Sequence, residues 1–189
     1  MDLGWTFRAH VFMVEANTKR KKNIMEPLPE SLVDETLNEI ILYDAGRASQ
    51  EMIEFGKVQP DLLSFILEFS EDMGEQAEEK GIFMLFVVYH IFRKGYGREI
   101  GRVTEEEIIS SFEENQRLME NLERAQEEFF NRVAEVQLST QPYVIRYVID
   151  TLSEESEEDE PEPLSEEEMG YLFILLKTVI DVLNRKTGE

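Results

Sequence analysis

The sequence predicts an all-α fold: a helical bundle of two related helix pairs joined by a long central helix. Apolar residues recur at three- and four-residue spacing through most of the chain, the period of a helix with one buried face. A Gln-Pro helix start, an acidic stretch, a glycine and an apolar helix occur twice in the same order, as expected of an internal duplication. With 42% apolar residues in 189, the chain carries enough for one sizeable core.

Residues 1–26 read as an amino-terminal arm, partly flexible, ahead of a single helical domain over residues 27–189. In the arm Trp5, Phe7, Val11, Phe12 and Val14 partly alternate with polar residues, the pattern of a short strand. Lys19-Arg20-Lys21-Lys22 reads as a solvated linker, and Pro27 and Pro29 punctuate the chain just beyond it.

Ser31 is the expected N-cap of the first helix, with Asp34 three residues on. Leu32, Leu37, Ile40 and Ile41 form its apolar face, and Gly46 is expected to end or bend it. A second piece runs from Arg47 to Phe55 and closes at Gly56. Pro60 then opens a helix at its first turn, where a missing N–H costs nothing. Its residues Leu62, Leu63, Phe65, Ile66, Leu67 and Phe69 are apolar on most sides. The acidic stretch Glu71 to Lys80 leads to Gly81 and the apolar run Ile82 to Phe92. Val87-Val88-Tyr89 would suit a buried strand, but the companion run Tyr171 to Leu183 has Lys177 and Asp181 four apart, a helical spacing. Both runs are therefore expected to be central helices.

The two copies align closely. Gln59-Pro60 corresponds to Gln141-Pro142 at an offset of 82, with apolar positions matched along both helices. Glu78-Glu79-Lys80-Gly81 corresponds to Glu167-Glu168-Met169-Gly170, and each following helix ends in Arg-Lys near a glycine, Gly95 or Gly188. Cations at a helix C-terminus complement its dipole, and glycine supplies the left-handed cap. The repeat-like halves span about 31–98 and 113–188. Between them Thr104 and Glu107 form a capping box for a helix whose apolar residues Ile108, Phe112, Met119, Leu122, Phe129, Val133 and Val136 keep a 3-4 spacing. Continuous to Leu138, it would measure about 51 Å. It can pack across both repeats or form a homodimer seam with Asn115 as a polar member; packing across the repeats is the favoured reading.

Charge bounds the partners. A net charge of −22 repels phosphate, which argues against direct nucleic-acid binding and against anionic membranes. It favours solubility, which is the plainer reading, or a basic protein partner or divalent cations. No cysteine is present, so neither disulfides nor thiolate zinc sites can form. The longest apolar run is 11 residues, far short of the roughly 20 a membrane span needs, and no signal peptide is visible. The cytoplasm is the expected compartment.

Chemistry-bearing motifs are sparse. Glu68 and Glu71, Glu75 and Glu78, and Glu120 and Glu123 stand three apart, where two carboxylates on one helix face can share Mg²⁺ or Mn²⁺. None has an apolar setting and a basic phosphate ligand beside it, so solvated acidic turns are the expectation. Neither His10 nor His90 follows a glutamate by three, which removes the di-iron pattern. His90 is expected to be a buried histidine with a satisfied hydrogen bond. No Gly-x-Ser-x-Gly, P-loop or EF-hand pattern occurs. The segment Arg93 to Arg102 stands out against the acidic background: Arg93, Lys94, Arg98 and Arg102 are candidates for an anion or an acidic partner tail, with neutralisation of neighbouring acids as the plainer alternative. The run Ser153 to Glu168 holds ten acidic residues and reads as a solvated loop.

No catalytic residue, cofactor or metal site is therefore expected. The leading expectation is a non-enzymatic helical interaction or scaffold module, because helix faces are plentiful and reactive groups few. An acidic mimic or chaperone of a basic, nucleic-acid-binding protein is the second reading. A Mg-dependent nucleotide phosphohydrolase using the paired glutamates is the third.

Overall fold

The computed structural model describes residues 26–123, 140–154 and 164–188, with the side chains of 118–123 excepted. The strand expected in the arm, the continuation of the central helix to Leu138 and most of the acidic run lie outside the described residues. Those described fold entirely as helices and connections: α1 (Glu30–Ile40), α2 (Ala45–Val58), α3 (Pro60–Ser70), α4 (Glu75–Tyr96), α5 (Glu105–Glu123), α6 (Pro142–Ser153) and α7 (Glu166–Gly188). Ile82 to Phe92 lies within α4 and is helical.

Several helix ends differ from expectation. Pro29 occupies the N-cap of α1, so Ser31 sits inside its first turn. Gly46 does not end α1; it lies in the first turn of α2, whose cap is Asp44, accepting from the Arg47 N–H at 2.9 Å. Gly56 does not close α2, which runs on to Val58. A 3₁₀ turn, Glu71–Met73, and Gly74 at φ +89° separate α3 from α4. α4 then begins at Glu75, taking in acidic residues read as connection. Its left-handed cap is Gly97 at φ +59°, not Gly95. The glycines at 81 and 95 serve packing instead. A Cβ on Gly81 would stand 3.2 Å from Leu172 and 3.3 Å from Ile66, so its absence lets α3, α4 and α7 meet closely. A Cβ on Gly95 would run into Leu28 and lie 2.9 Å from Leu32.

α4 and α7 pack together at the centre, as their apolar sequences require. Met84, Leu85, Val87, Val88, Ile91 and Phe92 of α4 and Leu172, Phe173, Leu175, Leu176, Val179 and Ile180 of α7 belong to one core in which all twelve are fully buried. α1 packs on α4 and α6; α5 packs on α7 and α3. α2 touches the core chiefly through Phe55, which meets Phe86 edge-on at 6.3 Å and Tyr89 at 4.8 Å.

Both Gln-Pro helices start the same way. Gln59 has φ −133°, ψ 56° and Gln141 has φ −125°, ψ 69°; neither caps its own helix with its side chain. Both side chains are fully buried and instead bind the segment that enters a neighbouring helix. The Val103 N–H donates to Gln59 Oε1 at 2.9 Å just before α5, and the Leu28 N–H donates to Gln141 Oε1 at 2.8 Å just before α1. Gln59 Nε2 donates to the Ile100 and Gly101 carbonyls, and Gln141 Nε2 to Tyr96 and Asn184. Satisfying a buried amide in full holds each chain segment in one register.

Asn115 faces inward. It is buried against α7, donating to Thr178 Oγ1 and Asp181 Oδ2, each at 3.1 Å. This is the packing across the bundle favoured from sequence, and it places Asn115 in an intramolecular contact. Thr104 and Glu107 form the expected capping box, and Ser165 and Glu168 form a second.

Candidate functional site

The four candidate cations all have partners within the chain. Arg93 lies 3.4 Å from Glu51, and Lys94 lies 3.3 Å from Glu39. Arg98 donates to the Thr187 carbonyl at the end of α7. Arg102 makes a two-pronged bond to Asp61, at 3.0 and 2.9 Å. They do not converge on one point. Arg93 and Arg98 share an open groove of about 600 Å³ between α2 and the end of α4, but Lys94 and Arg102 are not among its walls. Glu51, Glu54 and Glu99 line the same groove, so its charge is mixed.

His90 borders this region, buried as expected. The Phe86 carbonyl can only accept, so Nδ1, 3.0 Å away, carries the proton in the neutral ring. Nε2 then turns its lone pair toward the Glu51 carboxylate at 3.4 Å. Burial lowers the His90 pKa; the Phe86 carbonyl and Glu51 oppose that without reversing it. The neutral ring therefore predominates near pH 7, its centroid 4.2 Å from that of Phe86 with the two planes tilted by 43°.

A second groove, about 180 Å³, runs between α3 and the start of α5. Phe65, Phe69, Ile108 and Ile109 line it together with Asp61, Glu68, Glu105 and Ser64. Phe112 braces this floor, edge-on to Phe65 at 5.5 Å and to Phe69 at 4.9 Å. Asp61 is engaged by Arg102, whereas Glu68 and Glu105 form no ion pair among the described residues. An apolar floor with free carboxylates at the rim suits a cationic group on an apolar stem.

Of the paired glutamates, Glu68 lies on α3 and Glu71 in the 3₁₀ turn, while Glu75 and Glu78 occupy the first turn of α4. The Glu120 and Glu123 side chains lie outside the described residues. Among the described residues no three His, Asp or Glu side chains converge as metal ligands. No helix among them is long and apolar enough to cross a membrane.

Compared with family models, curated proteins and solved structures, the chain matches none. Sequence reasoning missed Gln59 and Gln141 as buried clamps. The signal was present: a glutamine just before a helix-starting proline, twice, where capping alone would favour Ser, Thr, Asp or Asn.

Proposed function

We propose that this chain is a non-enzymatic helical interaction protein whose partner is a basic protein segment. The α3–α5 groove carries the reading, because it pairs aromatic side chains with two carboxylates, Glu68 and Glu105, that form no ion pair among the described residues. The engagement of Arg93, Lys94, Arg98 and Arg102 inside the chain supports it: the cations best placed to recruit an acidic partner already have counter-ions or carbonyls. The two Gln-clamped halves, read as copies of one unit, supply rigid helix faces around one core. A net charge of −22 adds long-range attraction for a cationic partner and repels nucleic acid.

Affinity capture from native lysate at two salt concentrations tests this. A basic partner held at low salt and released at higher salt is the expected result. A captured partner that is acidic, or no partner at either salt, overturns it.

A second reading, an acidic mimic or chaperone for a nucleic-acid-binding protein, draws on the charge alone. It requires that nucleic acid and this chain compete for the same basic protein. The phosphohydrolase reading draws on Glu68 and Glu71. It requires turnover of nucleotides with Mg²⁺ or Mn²⁺ that is lost in a Glu68→Gln, Glu71→Gln variant.

A further inference from the structure

We infer that the α3–α5 groove receives an arginine from an amphipathic helix of the basic partner, at the position that corresponds in register to Arg146, which pairs with Glu30 across α6 and α1. The inference rests on the proposed interaction role and assigns its site.

The chain holds two comparable helix pairs. α3 packs on α5, and α6 packs on α1. Each pair is set in register by a buried glutamine, Gln59 binding Val103 and Gln141 binding Leu28. Counting from these anchors, Ser64 of α3 takes the position of Arg146 in α6, and Glu105 of α5 takes that of Glu30 in α1. Burial repeats in step: Leu62, Phe65 and Ile66 are buried as Val144, Tyr147 and Val148 are, while Ser64 and Arg146 are both exposed. Between α6 and α1, Arg146 Nη1 reaches Glu30 Oε1 at 3.1 Å and spans the pair. Between α3 and α5 the serine cannot reach, and the groove stays open with Glu105 and Glu68 at its rim.

The geometry selects arginine over lysine. A planar guanidinium can lie on the Phe69 face while its N–H groups meet a carboxylate, which a compact ammonium cannot do as well. The chain already shows this stacking elsewhere, with Arg47 3.7 Å above the Tyr43 ring and bonded to Glu39 at 2.8 Å. The partly exposed Phe69 and Ile109 of the groove take the aliphatic stem.

The test uses the full chain and a short amphipathic helical peptide bearing arginines, with the same peptide carrying Gln for Arg and a third carrying Lys for Arg. Titration calorimetry should show the arginine peptide binding wild type at least tenfold more tightly than the Gln peptide, with Lys between. Ser64→Arg installs an internal cation beside Glu105 and should weaken binding at least tenfold while leaving the thermal melt unchanged. Glu105→Gln should weaken it in the same direction. Binding unchanged by both Ser64→Arg and Glu105→Gln overturns the site while leaving the interaction role standing. No binding of any peptide by any variant overturns the interaction role itself. A wild-type dimer that Ser64→Arg converts to monomer would assign the groove to a second copy of this chain and overturn the inference.

Discussion

Gln59 and Gln141, far apart in sequence, do the same work at the starts of α3 and α6: each buried side chain accepts the backbone N–H of a segment about to enter a neighbouring helix, Val103 at 2.9 Å and Leu28 at 2.8 Å. Each bond ties a Gln-Pro helix to a distant part of the chain. Helix packing is thereby fixed by polar register as well as by apolar burial.

Replacing either glutamine by leucine leaves a buried N–H without an acceptor, which costs about 1–3 kcal/mol before any repacking. Gln141→Leu and Gln59→Leu are each expected to lose at least that much in urea unfolding. A loss under about 0.5 kcal/mol in both would show that water substitutes for the amide and that the clamps are incidental.

The glycines separate close packing from simple helix propensity. Gly95→Ala forces a methyl into Leu28 and Leu32 and should cost about 1–3 kcal/mol. Gly170→Ala meets nothing within 4 Å in the interior of α7 and should gain about 0.5–1 kcal/mol. Thermal melts of the two variants should therefore move in opposite directions.

Lys177 is a buried cation, with a side chain only 5% exposed, 2.6 Å from Asp181, which Asn115 also binds. Removing one partner of a fully buried pair costs roughly 3–5 kcal/mol. Asp181 keeps about a fifth of its surface in water, so Asp181→Asn should cost less, about 2 kcal/mol. Lys177→Met combined with Asp181→Asn should recover part of that loss. A double-mutant cycle with no coupling would mean that the pair is ornamental.

His90 gives a signed pH dependence. Its folded pKa lies below the ordinary imidazole value because burial penalises the charged ring. Its stabilising contribution is therefore complete above about pH 6.5 and is lost as pH falls through that value toward the folded pKa. Glu51 and Arg93 are the charged groups that face it. His90→Gln lacks this titration, so the stability advantage of wild type over the variant should shrink between about pH 7.5 and 5. An advantage that stays constant or widens would contradict the assignment.

The helical class and the central position of the two apolar runs were legible because Ile82 to Phe92 and Leu172 to Leu183 are apolar on nearly all sides, and the four-residue spacing of Lys177 and Asp181 decided helix over strand. The Thr104–Glu107 cap was legible because capping is local. Helix boundaries at Gly81 and Gly95 were misread for one physical reason. Glycine ends helices through its backbone freedom, yet Gly81 and Gly95 are used for having no side chain at a helix crossing, which only tertiary contact reveals. The candidate cations were legible as residues but not in their pairing. Glu51, Glu39 and Asp61 lie 42, 55 and 41 residues from the cations they meet, and nothing in the spacing foretells them. The α3–α5 groove was invisible because it exists only between two helices separated in sequence by the whole of α4.

The salt dependence of binding to an arginine-bearing amphipathic peptide tests the central claim most directly. If free carboxylates at an apolar groove recruit a cationic partner, the dissociation constant should weaken at least tenfold between about 50 and 300 mM salt, as screening shortens the reach of exposed charges. A dissociation constant that holds steady over that range would contradict an acidic surface as the basis of recognition.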